Sequence, residues 1–272
     1  MELQALPVAP RPTQRPVQLV LVRANGPLFY SLAAASILEA TMPLAADRLL
    51  HFFASDRTLA TWVTSEWLPR KRERARNLRA YVESTWPEYD WMGGAEQFRA
   101  AASAGGGLHQ PTAAHEALAR CVATAQSGIF YRSLARWADD ARLRELARVM
   151  ALEEAESFAQ FRGLYDRRLR VQGFGCTAAW TTALSCVRAA RDSQVPRAFH
   201  AISAHCAPHV PFPVLDYSEF LVRMGSVIER HGNLGTPERV LFRTWKGRPR
   251  VRLPEAAPPQ VTTFRPVLGR AA

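Results

Sequence analysis

The residues with the clearest chemical potential lie between Ala119 and Leu164, ARCVATAQSGIFYRSLARWADDARLRELARVMALEEAESFAQFRGL. This stretch carries two helical patterns that meet at Asp139-Asp140. In the second, Leu146, Met150, Glu154, Ser157, Phe161 and Leu164 recur at steps of four and three, so they share one face. A carboxylate inside an apolar stripe is unfavourable unless something pairs with it or binds it. Glu153 and Glu156 flank Glu154 and with it could form an acid/base set. Adjacent glutamates on a helix are more often exposed, a solvated edge. An earlier run, Leu28, Leu32, Ala35, Glu39, Met42, Ala46, Leu49 and Phe53, has the same character, with Glu39 at its centre. Pro43 predicts a kink or break near that glutamate.

Two further helices must present side chains to these carboxylates. One begins by capping at Ser55-Asp56 and runs to about Ser84, with Trp67, Lys71, Arg74, Leu78 and Tyr81 inward. Pro69 interrupts it early. The alternative for its RKRERAR run (Arg70 to Arg76) is a solvated face in a shifted register. The other starts at Thr112, with Glu116 in its first turn. Its face through Ala117, Cys121, Thr124, Gly128, Tyr131 and Ala135 is small enough for a neighbour to approach closely.

Other candidates carry less. His200, His205, Cys206 and His209 are types that zinc accepts, but Pro208 disturbs the helix that would align them, and packed or surface histidines fit as well. Ser157 and Cys121 have no general base at a recognisable spacing. Gly173 to Gly175 lacks the strand and spacing of a phosphate-cradling loop. Arg142, Arg144 and Arg148, with Arg162, Arg167, Arg168 and Arg170, could line one helix, yet no nucleic-acid module accompanies them, so nucleic acid is not the expected partner.

Composition bounds the rest. The chain has 272 residues and a formal net charge of +11. That charge favours an acidic partner, or reflects Arg-for-Lys usage in a GC-rich genome. No apolar run reaches the length of a membrane span. Cys121, Cys176, Cys186 and Cys206 have no paired spacing and read as reduced thiols of a cytoplasmic protein. Residues 1–24 form a Pro-rich leader that includes VQLVLV (Val17 to Val22), a short strand or an apolar lead-in. Residues 25–172 hold the long helices. WPEYDW (Trp86 to Trp91) is a turn in which Asp90 caps a short helix through Phe98, and SAGGG (Ser103 to Gly107) is a linker. Residues 173–245 form a helical extension, with helices expected at Phe174–Arg191, Val195–Ala207, Tyr217–Arg230 and Thr236–Trp245. Residues 246–272 form a Pro-rich tail.

The segment TWVTSEWLPRKRERARNLRAYV (Thr61 to Val82) resembles the second helix of soluble acyl carrier protein desaturases and their ferritin-like relatives. There a Trp precedes the ligating Glu by four residues, and a Leu and a Tyr follow at plus seven and plus ten; Trp67, Leu78 and Tyr81 keep that frame. The segment from Thr124 to Phe161 is similar to the other helix pair, through Tyr131, the RSLARWADD hinge and Glu153-Glu154. The resemblance covers about residues 28–170. It implies an all-α, ferritin-like four-helix bundle with additional C-terminal helices. Such bundles hold two metals with one Glu from each of two helices and a Glu-x-x-His pair from each of the others.

In this frame Glu39 and Glu154 keep a ligand type, whereas Lys71, Arg74, Thr124 and Ser157 stand where the family has Glu, His, Glu and His. The expectation is that the two side-chain cations fill the chamber that two irons would occupy, closed by the Thr124 and Ser157 hydroxyls, with no cofactor. The implied function is non-catalytic: the partner of an active di-iron subunit, a carrier of an acyl or other apolar ligand, or a surface for an acidic acyl carrier protein. The alternative is an oxidoreductase of desaturase or oxygenase type with iron in a non-standard set drawn from Glu39, Glu153, Glu154 and His51. Apolar helix faces left over beyond the bundle suggest a homodimer.

Overall fold

The computed structural model describes residues 16–104, 110–172, 175–208 and 210–231. These are almost entirely helical, with one isolated β-bridge between Tyr89 and Cys206, so the described part of the chain is all-α. Val17 to Val22 belongs to a helix, α1 (Pro16–Arg23), and not to a strand. Val22 is in the core, and Leu19, Val20 and Leu21 are exposed. The β-branched run satisfies its backbone locally, since among the described residues there is no strand to pair with it.

Helix α2 (Gly26–Ala40) starts at Asn25, whose side chain accepts from the Leu28 N–H, and Pro27 sits in its first turn. It ends at Thr41. Helix α3 (Met42–Phe52) follows at an angle of about 40°. The bend is where Pro43 predicts it, at the first turn of the new helix, where a missing N–H does no harm. Asp56 caps α4 (Arg57–Trp62), which continues as a π-turn (Val63–Trp67) into α5 (Leu68–Thr85). Pro69 does not split this helix. Its ring would meet the Ser65 carbonyl in a regular α-turn, and the widened turn relieves that clash. The same device recurs where α9 (Cys176–Ala189) passes through a second π-turn (Ala190–Gln194) into α10 (Val195–Ala204), with Pro196 just beyond.

Between these lie α6 (Trp91–Ala104), α7 (Ala113–Trp137) and α8 (Ala141–Gln172); α11 (Tyr217–His231) closes the described chain. Thr112 caps α7 by accepting from the His115 N–H, and Asp140 caps α8 by accepting from the Arg142 N–H. The helix expected at Thr236–Trp245, the leader through residue 15 and the Pro-rich tail lie outside the described residues.

Helices α2 and α5 form one close pair, and α7 and α8 another. Trp86, at the end of α5, donates its indole N–H to the Arg23 carbonyl beside the start of α2, while Lys71, early in α5, meets Glu39 late in α2. The two therefore run antiparallel. Tyr81 meets Asp140 at the start of α8, and Arg74 meets Glu154 nearly four turns further along it, so α8 is antiparallel to α5 as well. Tyr131 of α7 bonds Glu39, and α7 then runs toward Asp140, parallel to α5. The connection from α5 to α7 is accordingly a long crossover that contains α6.

The core has two parts. The larger gathers Phe29, Tyr30, Trp86, Tyr89, Phe199 and Phe220, so α10 and α11 share an aromatic core with α2. Tyr30 stacks on Phe199 with ring centroids 4.5 Å apart. The smaller packs Phe53, Trp67, Cys121, Phe161 and Tyr165 around the α3–α4 end. The candidate site lies between the two. Among the described residues no single helix is long and apolar enough to cross a membrane; the bent pair α2–α3 qualifies together on length and composition. Eleven of the 15 residues of α2 are buried in the protein itself.

Candidate functional site: a buried charge cluster between two helix pairs

Five ionised side chains from α2, α5 and α8 meet in the interior. Lys71 Nζ donates to Glu39 Oε1 at 3.2 Å and to Glu154 Oε1 at 2.5 Å. Arg74 donates through Nε to Glu153 Oε2 at 2.5 Å and through Nη1 to Glu154 Oε1. Arg74 Nη1 also stands 3.6 Å from Glu39 Oε1. From α7, the Tyr131 hydroxyl donates to Glu39 Oε1 at 2.8 Å. Glu39, Lys71, Arg74 and Glu154 are each no more than 5% exposed.

Each position follows from local structure. Lys71 and Arg74, three apart on α5, project together from the turn that follows the π-widening. Glu39 ends α2 just before the Thr41 break. Gly128 of α7 faces Glu154 of α8: a Cβ there would stand 3.5 Å from the Glu154 Cβ, an ordinary van der Waals contact. The RKRERAR run is divided, with Lys71 and Arg74 buried and Arg72 and Arg76 exposed. Half-buried Arg70 bridges to exposed Glu156 at 2.7 Å.

Burial by itself would make the Arg74 guanidinium easier to deprotonate. Glu154, Glu39 and Glu153 outweigh that and hold it more firmly charged than usual. Tyr131 is pushed well above the ordinary phenol range by burial and then by the charges of Glu39 and Glu154, so it stays a donor.

Two expected partners are elsewhere. Thr124 and Ser157 are buried, at 7% and 5% exposure, but neither hydroxyl bonds to the cluster. Glu153 and Tyr131 complete it instead. A glutamate beside a buried one still reaches inward when its chain is long enough, and Glu153 remains 25% exposed while touching Arg74. Sequence periodicity could not register this, because it assigns whole residues to faces. Glu39 Oε2 is buried with no hydrogen-bond partner among the described residues.

The residues do not fit a dinuclear metal centre. The Lys71 ammonium stands within hydrogen-bond distance of both Glu39 and Glu154, and the Arg74 guanidinium pairs with Glu154 and Glu153. Two cations at contact distance would repel any divalent ion placed between them. His51 is exposed on the last turn of α3, so the set Glu39, Glu153, Glu154 and His51 is not brought together. Among the described residues no group of three His, Cys, Asp or Glu side chains is gathered for a metal. His200 is exposed against the Tyr217 ring, His205 pairs with Asp90 at 3.4 Å, and His209 lies outside the described residues. Burial raises the Cys206 thiol to about 11, which makes it a poor nucleophile.

The arginines of α8 are largely spoken for. Arg144 caps the Ala138 and Asp139 carbonyls, Arg148 pairs with Glu145, Arg162 pairs with Asp166, and Arg168 lies over the Phe53 ring. Residues 232–272 contain eight Lys or Arg and two Asp or Glu, so more than half of the net positive charge lies outside the described residues.

Searches against protein-family models, curated proteins and solved structures give no match to this chain.

Proposed function

We propose that this chain is a ferritin-like, desaturase-like bundle whose metal chamber is filled by its own cations, and that it works by binding rather than by oxygen chemistry. The observation that carries this is the placement of Lys71 Nζ between Glu39 Oε1 on α2 and Glu154 Oε1 on α8. The helix order supports it: two antiparallel pairs joined by one long crossover are the arrangement of ferritin-like folds. A single lysine bridges two glutamates from separate helices, which is the work a metal does in such a bundle. The role is then that of a partner subunit, beside an active di-iron subunit or an acidic carrier protein. The positive charge outside the described residues suits an acidic partner.

Elemental analysis of the full-length protein, after exposure to ferrous and manganous salts and desalting, tests the reading. It predicts essentially no retained metal per chain. One or more tightly held ions per chain would overturn it. The partner is tested separately by mixing with an acyl carrier protein: association should form at low ionic strength and fade as the Debye length contracts. Binding that ignores salt, or none at low salt, would remove the acidic carrier from consideration.

A further inference from the structure

Among the described residues, seven large apolar side chains are more than half exposed. Four of them, Val20 at 65%, Leu21 at 58%, Val214 at 64% and Val222 at 71%, stand on elements that border one open groove. The other three are scattered singly over α3 and α8. The groove, of about 330 Å³, lies between α1, the start of α2, the 212–215 loop and α11. Leu21, Pro27, Phe212, Pro213 and Leu215 supply its apolar walls, and Asn25 and Arg223 are polar members. Its floor is closely packed: Phe212 is buried against Phe29, with ring centroids 5.1 Å apart, and a Cβ on Gly26 would stand 3.1 Å from the Phe212 ring.

Exposed apolar residues met singly are ordinary, whereas a patch of them marks a contact. With Leu19 and Pro213, which are also exposed, these side chains present on the order of 500 Å² of apolar surface, toward the upper end of what a monomer shows. That is enough for the apolar centre of an interface that buries about 800 Å² on each partner.

Charge decides what covers it. The chain carries a formal net charge of +11, yet this face does not share the excess. Beside the groove Arg23 pairs with Glu88 and Arg223 pairs with Glu219, while exposed Asp216 caps α11. An acidic protein or an anionic bilayer would therefore find both cations already taken and a third carboxylate opposing it. A second copy brings apolar side chains to match. The mixed signs also let Arg223 of one protomer reach Asp216 or Glu219 of the other, and a two-fold contact needs that kind of self-complementary surface.

We propose that this face is the two-fold interface of a homodimer, in which α1, the 212–215 loop and α11 of one copy pack on the same elements of the other. It uses none of the residues of the charge cluster, so it stands or falls independently of the metal-free reading.

Sedimentation equilibrium on the full-length protein tests it. A species of twice 30.3 kDa should form with a dissociation constant of about 10 µM or tighter. Two chains of like net charge repel, so the dimer should tighten as salt rises, the opposite of the response expected for an acidic carrier. Val20→Glu and Val214→Glu replace exposed side chains and should keep the wild-type circular dichroism spectrum. Each should weaken the dimer by at least about tenfold, because the new carboxylate is desolvated at the contact without a partner. Leu152→Glu, at a similarly exposed position on α8, should leave the dimer unchanged. A chain that stays monomeric up to about 100 µM overturns the proposal, as does a dimer that ignores both valine changes or is broken by Leu152→Glu. A monomer that binds phosphatidylglycerol vesicles, and loses them with Val20→Glu, overturns it too and gives the face to a bilayer.

Discussion

Lys71→Met is the perturbation with the most to say, because it keeps the length of the side chain and removes only the ammonium. In the native cluster three carboxylates face two cations. After the change three face one. Glu154 keeps Arg74 Nη1, and Glu153 keeps Arg74 Nε. Glu39 is left with the Tyr131 hydroxyl and an Arg74 Nη1 at 3.6 Å, and its Oε2 already has no partner among the described residues. The stranded charge is therefore chiefly Glu39. Breaking one side of a buried ion pair costs about 3–5 kcal/mol, whereas replacing the whole set by matched neutral groups can cost little. For a chain of this size that corresponds to a fall in Tm of roughly 5–15 °C. Urea denaturation followed by circular dichroism measures it. Adding Glu39→Gln to Lys71→Met should recover most of the loss, and adding Glu154→Gln should recover less, because Glu154 retains a cation. A Lys71→Met protein within about 0.5 kcal/mol of wild type, or equal recovery by the two glutamine changes, would refute the reasoning.

Asp140→Ala should cost about 2–4 kcal/mol, since Asp140 both caps α8 and accepts from the buried Tyr81 hydroxyl at 2.7 Å. Tyr81→Phe in that background should add less than it does alone, measured as a double-mutant cycle. Cys121 is 1% exposed, and burial pushes its thiol up to about 12, so native protein at pH 8 should leave it unlabelled by a disulfide reagent while denatured protein labels fully; rapid native labelling mapped to its peptide would contradict the packing. The alkaline limb of stability follows from the same burial. Cys121, and Tyr131, Tyr81 and Tyr89, hold their protons more tightly folded than unfolded. Their contribution is complete below the unfolded values near 9 and 10, and is lost as pH rises beyond them. Urea midpoints should fall between pH 8 and pH 10.5, and a flat profile would contradict this.

Much of the site was legible because a helix repeats every 3.6 residues. That period placed Glu39, Lys71, Arg74 and Glu154 on inward faces, and the caps at Asp56, Asp90 and Thr112 followed from side chains that can accept from a helix N-terminus. What periodicity could not supply was reach. Glu153 lies off the buried stripe of α8 yet touches Arg74, whereas Ser157, on that stripe, points to a cavity rather than to the charges. Pro69 marked a disturbance in α5 but not its form, because a helix can either break or widen, and the packing of Trp67 against Phe161 on α8 favours continuity. The burial of Glu116 was not legible for a related reason. It sits in the first turn of α7, where an acidic residue is usually solvated, but here it is 3% exposed and paired with Arg120 one turn on. The shared aromatic core of α2, α10 and α11 depends on contacts between residues more than 150 positions apart, which no local pattern encodes.

The most direct measurement is anomalous diffraction from crystals of the full-length protein grown with ferrous or manganous salt. The account predicts no anomalous peak between α2, α5 and α8, and density that joins the Lys71 ammonium to Glu39 and Glu154. A peak ligated by Glu39 and Glu154, with Lys71 and Arg74 turned out to solvent, would contradict it.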